Sequence, residues 1–326
     1  MRIFICEFIT GGGLQDKDLP ATLVTEGDMM LQALVCDLLD AGYDDLFCTR
    51  DIRLQETAPD IETINAGENI WETWKNCMSN TDAVWIIAPE TDMVLYDLTC
   101  ISEQCGCLLL GCSSTAVALA TSKKQTIELL TANGIPCVPV INDYTELSNM
   151  SSGHIIKPDD GVGAEGCYLF TEQDLLYSYI SQQKQKKYIV QEYIRGIPAS
   201  MSMVCHGGQA LVLGYNRQLV TFINGKGQLK GVVVNGLYEF AEQFSAIAKQ
   251  VSSAVSGLSG YVGVDLILAE NGPLVLEINP RLTTAYAGLS RSNNSNTAEI
   301  IMSVMQNKQF PAVNKYDHRP VTIDLC

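Results

Sequence analysis

Gly263-Val264-Asp265-Leu266-Ile267-Leu268-Ala269-Glu270-Asn271-Gly272-Pro273-Leu274-Val275-Leu276-Glu277-Ile278-Asn279-Pro280-Arg281 is a pair of apolar runs around a turn signal, the pattern of a β-hairpin. With Glu270-Asn271-Gly272 as the loop and Gly272 left-handed, Ala269 pairs with Pro273 and Asp265 falls opposite Glu277. Directly opposed side chains lie roughly 5 Å apart at Cβ. Asn279 shares the face of Glu277 by strand alternation. Three oxygen-bearing side chains then converge where a hard cation such as Mg²⁺ can bridge them to phosphate. A two-residue Asn-Gly turn would split the acids between faces. Facing acids repel and are costly to bury, so the arrangement makes sense with something positive between them. The alternative for this segment alone is an exposed edge hairpin with solvated acids.

Outward from this hairpin, 326 residues with 47% hydrophobic and 18% charged content leave room for two or three domains with large cores. A net charge of −16, with Lys184-Gln185-Lys186-Lys187 as the one basic cluster, argues against a nucleic-acid partner, which needs a positive footprint. The twelve cysteines are scattered without a Cys-x-x-Cys pair and read as small core residues in a reducing cytoplasm. The first residues reach Glu7 and then glycines too soon for a signal peptide. No run approaches the ~20 apolar residues of a membrane span.

The first third alternates strand-like stretches (residues 3–8, 46–49, 83–88 and 107–111) with a helix over 26–40 and another after Tyr96, which predicts a parallel α/β sheet with right-handed crossovers. A helix follows from Ser122, its cap, to Asn133, closed by Gly134 and Pro136. Strand, glycine loop, strand, helix and strand over 155–193 make a compact α+β unit. Strands near 200–205 and 210–216, a helix over 241–256, the hairpin and a helix over 297–306 complete the chain.

Gly161-Val162-Gly163-Ala164-Glu165-Gly166 matches G-x-G-x-x-G but runs into the β-rich residues 167–170 rather than a helix. A glycine hairpin folding over phosphates fits better than a Rossmann turn; an ordinary flexible loop is the plainer reading. Lys157 lies in an apolar strand just before it, where a phosphate would relieve the cost of burying an ammonium. Lys123 opens its helix, with Lys124 competing for the same role, and no P-loop sequence exists. Gln191-Glu192-Tyr193-Ile194 ends a strand before Arg195-Gly196; its edge can offer backbone groups to adenine, or simply turn at Gly196. Glu7, Thr10, Gly11, Gly12 and Gly13 follow the first strand, at the end where open α/β sheets take ligands, and are candidates for a substrate site.

In this order, Lys123, Ile156-Lys157-Pro158 with its glycine loop, Gln191 to Ile194, Asp265 and Glu277-Ile278-Asn279-Pro280-Arg281 resemble the ATP-grasp superfamily of carboxylate–amine ligases. The resemblance implies a Rossmann-like pre-ATP-grasp domain (residues 1–115), a small lid (116–198) and a C-terminal ATP-grasp domain (199–326). It implies ATP held by Lys123 and Lys157, by the loop glycines Gly161, Gly163 and Gly166, and at Gln191, Glu192 and Ile194. Mg²⁺, or Mn²⁺ in its place, would lie on Asp265, Glu277 and Asn279. The acid that the family often uses for ribose is missing near Gly196-Ile197-Pro198-Ala199-Ser200. Glu7 to Gly13, Glu26-Gly27, Ala88-Pro89-Glu90-Thr91-Asp92, Asn216-Arg217-Gln218 and Asn279 to Thr284 look more closely like the tyramine–L-glutamate ligases of methanofuran biosynthesis.

That likeness implies glutamate activated as an acyl phosphate and joined to tyramine or a similar amine, and is compatible with a homodimer. Arg281 and Arg217 are the candidates for the substrate carboxylate and acyl phosphate; each can also be an arginine in a structural ion pair. Three competing readings are a ligase for another acid and amine, a nucleotide-binding regulator without turnover, and a Rossmann oxidoreductase.

Overall fold

The computed structural model describes residues 1–54, 61–142, 153–182, 187–311 and 317–325. The basic cluster therefore lies outside the described residues except for Lys187. Strand β1 (Ile3–Glu7) is buried at every position, as a central parallel strand covered on both faces must be. It is followed by α1 (Ala21–Asp40), β2 (Leu46–Arg50), β3 (Glu62–Asn65), α2 (Ile70–Ser79), β4 (Ala83–Ile87), α3 (Val94–Cys105) and β5 (Leu108–Leu109). These strands are all parallel, in the order β3-β2-β1-β4-β5. Strand order reverses beside β1, and the crevice beyond the carboxyl ends of β1 and β4 is the natural ligand position. Helix α1 starts at Ala21 rather than 26, because Pro20 enters it with φ −63°, a preset helical φ. Strand β3 escaped the sequence reading since its residues are half-buried or exposed and lack an apolar run.

Helices α4 (Ser114–Thr121) and α5 (Lys123–Ala132) are separated by Ser122 alone, whose hydroxyl accepts from the Gln125 amide as the α5 cap. Next come β6 (His154–Pro158), β7 (Tyr168–Phe170), α6 (Gln173–Gln182) and β8 (Tyr188–Glu192). Their own core centres on Ile156, Leu176 and Val190, ringed by tyrosines and Phe170. At roughly 1.5–3 kcal/mol per fully buried large side chain, so small a core anchors this unit lightly.

The chain ends with β9 (Ile197–His206), β10 (Gln209–Ile223), β11 (Lys226–Val234), α7 (Ala241–Ala254), β12 (Gly260–Ala269), β13 (Gly272–Asn279), α8 (Tyr286–Asn293), α9 (Thr297–Asn307) and β14 (Val321–Asp324). A second sheet, antiparallel, runs β13-β12-β9-β10-β11-β7-β6-β8 with β14 on β11. Strand β11 meets β7 at the single pair Lys226 and Tyr168. Ile3 and Trp85 of the first sheet and Leu34 of α1 share a core with Tyr261, Tyr286 and Leu289. Asp37 also accepts from Tyr286 Oη at 2.9 Å and Ser290 Oγ at 2.7 Å. This packing fixes the first crevice against the β12–β13 hairpin. Among the described residues, no helix is long and apolar enough to cross a membrane.

Candidate active site

The hairpin forms, but through a different turn from the one expected. Ala269 pairs with Gly272, so the loop is Glu270-Asn271, with Gly272 at φ +116°. Continued regularly, that turn would set Asp265 against Leu276. A register shift between Asp265 and Leu266 inserts one extra residue on β13, which restores Asp265 opposite Glu277 and puts Asn279 opposite Gly263. Bulges commonly re-aim side chains beside functional sites; here one brings the two acids together.

Glu277 is 5% exposed. Its Oε2 lies 3.1 Å from Lys157 Nζ and 3.6 Å from Lys123 Nζ. Burial alone would raise its carboxyl, but the Lys123 and Lys157 ammonium groups outweigh burial and hold it below the usual range. Among the described residues no ammonium or guanidinium pairs directly with Asp265. Burial first, and the facing Glu277 second, push its carboxyl up to about 7, although Gln218 Nε2 donates to Oδ1 at 3.0 Å. No group of three or more His, Cys, Asp or Glu that could hold a metal occurs among the described residues. The donor set is two carboxylates and the Asn279 amide, and the uncompensated charge at Asp265 is what a divalent oxygen-seeking cation would neutralise. The residues fit Mg²⁺.

Lys123 reaches Glu277 because the start of α5 is tied to the root of the glycine loop. Asp159 Oδ1 accepts from the Lys124 amide and Oδ2 from Ser122 Oγ, each at 2.8 Å, a carboxylate on a helix N-terminus. Lys123 Nζ donates to the carbonyls of Gly161 and, at 3.4 Å, Asp159. Lys124 is exposed and pairs with Glu128. The loop at 161–166 leads into β7, as expected of a glycine hairpin rather than a Rossmann turn. Gly163 and Gly166 have φ +57° and +69°, and a Cβ at Gly166 would lie 2.9 Å from Pro158, so both positions favour glycine.

A cleft of about 850 Å³ adjoins this cluster. Gln218, Asp265, Asn279 and Arg281 line one part, Glu7, Phe8 and Glu26 another, and Gly163 belongs to the loop beside it. Glu7 is 2% exposed and accepts from Thr10 Oγ1 at 2.6 Å and from the amides of Thr10 and Ile9. Burial pushes its carboxyl up, and those bonds pull it part of the way back.

Several expected site residues make their contacts outside the cleft lining. Thr10, Gly11 and Gly12 do not line the cleft. Thr10 orients Glu7, while a Cβ on Gly11 would meet Thr49 Oγ1 at 2.8 Å and one on Gly12 would meet Ala66 Cβ at 2.6 Å. These glycines pack closely against β2 and the residues that follow β3. Arg217 is exposed and also absent from the cleft lining; strand alternation aims its neighbours Asn216 and Gln218 inward instead. Gln191 is buried, and its Nε2 donates to the Val138 carbonyl at 2.6 Å, so its side chain holds a loop. Glu192 pairs with His154 at the strand edge, and Ile194 lies just beyond. Arg281 does line the cleft, yet it is ion-paired to Glu90. The sequence reading quoted Gln218 and Glu90 within motifs of the resemblance but gave them no role, and it missed Asp159. Alternation from Asn216 could have found the first.

A doubly wound sheet followed by an antiparallel sheet with facing acids and two lysines on one of them, Lys123 buried and Lys157 half-buried, defines an ATP-grasp enzyme. Residues 120–285 match the ATP-grasp domain family and residues 45–117 the pre ATP-grasp 3 domain; the chain belongs to the ATP-grasp family and is an ATP-dependent carboxylate–amine ligase. It is similar to the tyramine–L-glutamate ligase of Methanocaldococcus jannaschii, with 26% identity over 318 residues that cover 94% of this chain and 90% of that one. The enzyme of the same name from Methanocaldococcus fervens is 28% identical over 330 residues, 96% of this chain and all of that one. An ATP-grasp superfamily protein from Archaeoglobus fulgidus shares the fold with a TM-score of 0.70 and 24% identity, covering 99% of each chain.

Proposed function

We propose that this ligase activates the γ-carboxyl of glutamate with ATP and joins it to tyramine, in the making of a methanofuran-type cofactor. In the first step a carboxylate oxygen bonds to the γ-phosphorus as the bond to ADP breaks. In the second, the amine nitrogen bonds to the acyl carbon, phosphate departs with the electrons of the C–O bond, and the amine loses a proton. Such transfers are catalysed mainly by positioning and charge stabilisation.

The observation that carries the reading is the buried Glu277 held between Lys123 and Lys157 and opposed by Asp265. An arriving triphosphate gives the two ammonium groups a second anion, and the backbone of the 161–166 loop can approach it closely. Mg²⁺, or Mn²⁺ in its place, held by Asp265, Glu277 and Asn279, would neutralise phosphate oxygens. Glu192 and Ile194 offer main-chain groups to adenine, and Arg281 takes the carboxylate of the acid. The wall with Glu7, Glu26 and Phe8 suits an aromatic ammonium, through its acids and its ring. The near full-length similarity to two tyramine–L-glutamate ligases supports glutamate and tyramine as the pair. We place the enzyme in the cytoplasm, where ATP is supplied. Mass spectrometry of a reaction with ATP, L-glutamate and tyramine tests the proposal: γ-glutamyltyramine should form with one ADP per product. ADP formation with a different acid or amine, and none with this pair, would overturn it.

A further inference from the structure

Arg281 follows the last strand residue Asn279 by two positions, and its partner Glu90 comes from the turn after β4 of the other sheet. Nε donates to both oxygens of Glu90 at 3.0 Å, Nη2 lies 2.9 Å from Oε2, and Nη1 donates to the Leu282 carbonyl at 3.0 Å. The two side chains are 13% and 5% exposed. Arg281 lines the cleft, as do Pro89 and Thr91 on either side of Glu90, whereas Glu90 itself is 4% exposed and does not; its carboxylate is spent on the guanidinium. A guanidinium has five N–H donors. Among the described residues Glu90 and Leu282 use three, and one remains on each terminal nitrogen, donors suited to a carboxylate.

Glu90 is itself held by an unusual turn. Asp92 and Met93 follow it with φ +56° and +63°, left-handed conformations that L residues rarely adopt. Thr91 Oγ1 donates to the Asp160 carbonyl at 3.1 Å, and the Asp92 amide to Asp160 Oδ2 at 3.3 Å. The turn thus touches Arg281 on one side and the root of the glycine loop on the other.

We propose that Glu90 is a positioning residue for the acid substrate: its side-on grip on Arg281 aims the remaining guanidinium donors at the substrate carboxylate and sets them in register with the phosphate loop. This inference rests on Arg281 being the partner of that carboxylate. It opposes the simplest alternative, in which Glu90 is a placeholder that the substrate displaces. The two differ in sign, because freeing Arg281 from a placeholder would tighten acid binding, whereas losing a positioner weakens it.

Steady-state ADP release by the full chain with ATP, L-glutamate and tyramine separates them. Glu90→Gln should raise KM for glutamate about tenfold or more and leave KM for ATP within about twofold. Glu90→Asp, which retains the charge but shortens the reach, should recover part of the loss and serves if the first variant does not fold. A lowered KM for glutamate in Glu90→Gln, or equal rises in both KM values, overturns the proposal. Arg281→Lys locates the failure. If it raises KM for glutamate while Glu90→Gln does not, only the positioning role falls. If it changes nothing, or if the wild type does not consume glutamate, the reading of Arg281 falls and the inference with it.

Discussion

Glu277→Gln keeps the side-chain volume and removes one charge from a position that is 5% exposed. The ammonium groups of Lys157 and Lys123, 3.1 and 3.6 Å from Oε2, then lose their carboxylate. At an effective dielectric of about 20 each attraction is worth about 5 kcal/mol gross, and breaking a buried pair by removing one partner costs roughly 3–5 kcal/mol net. Some of this returns through Asp265, which loses the facing charge that helps lift its carboxyl from 3.8 to about 7. That rise of about 3 pH units is equivalent to about 4 kcal/mol. Burial is its larger cause, so less than half is recovered. The expected loss of stability is about 2–4 kcal/mol, a fall in melting temperature of about 3–6 °C for a chain of this size.

Turnover should suffer far more. Removing one preorganised electrostatic contact typically costs about 10²–10³ in kcat, and Glu277 combines a proposed metal ligand with the counter-ion of both lysines. The measurement is ADP release at saturating ATP, Mg²⁺, glutamate and tyramine at 25 °C, beside calorimetric melting of the same preparations. A folded variant with turnover within a few-fold of the wild type would refute the reasoning, because the acid pair would then be incidental to phosphate handling.

Other perturbations test other parts of the structure. Glu7 has its carboxyl raised by burial, near Asp28, Arg50, Cys6 and Cys48. Its contribution to stability is therefore full below the unfolded value of about 4.3 and is lost as pH rises through the folded value. Melting of Glu7→Gln should gain on the wild type as pH rises above about 4.3; parallel curves would contradict the burial argument. Arg217→Ala should change KM values less than about twofold, since exposed side chains away from special features have small effects, and a large loss would restore it to the site. Gly12→Ala places a Cβ 2.6 Å from Ala66 Cβ at φ +106°, and should cost about 1–3 kcal/mol from backbone strain alone, with overpacking in addition, as read by urea denaturation. With Ile156, Leu176 and Val190 as its buried centre among the described residues, the β6–β8 unit should exchange amide hydrogens sooner than β9 and β12 and gain protection with Mg·ATP. Uniform exchange would argue against a lightly anchored unit.

Local patterns were legible in the sequence, and long-range pairings were not. Alternating apolar runs announced the hairpin, alternation of strands and helices the parallel sheet, and the residues after Gly166 a strand in place of a helix, because each is written in neighbouring residues. Lys123 was legible as a helix start, but its choice over Lys124 depends on Asp159, 36 residues away, anchoring that start beside Glu277. The Glu90–Arg281 pair spans 191 residues, and no periodicity records such a contact. Arg217 drew attention by its charge while the same strand alternation pointed to Gln218, so the signal was present and outweighed. Hairpin register, finally, is a sum of two quantities. A three-residue loop on regular strands and a two-residue loop followed by a one-residue bulge both set Asp265 against Glu277, and the sequence pattern cannot separate them. The chain uses the second, with Leu276 as the extra residue. The opposition of the acids therefore depends on that bulge as much as on the turn, and a shift of one position in either would send Asp265 and Glu277 to different faces.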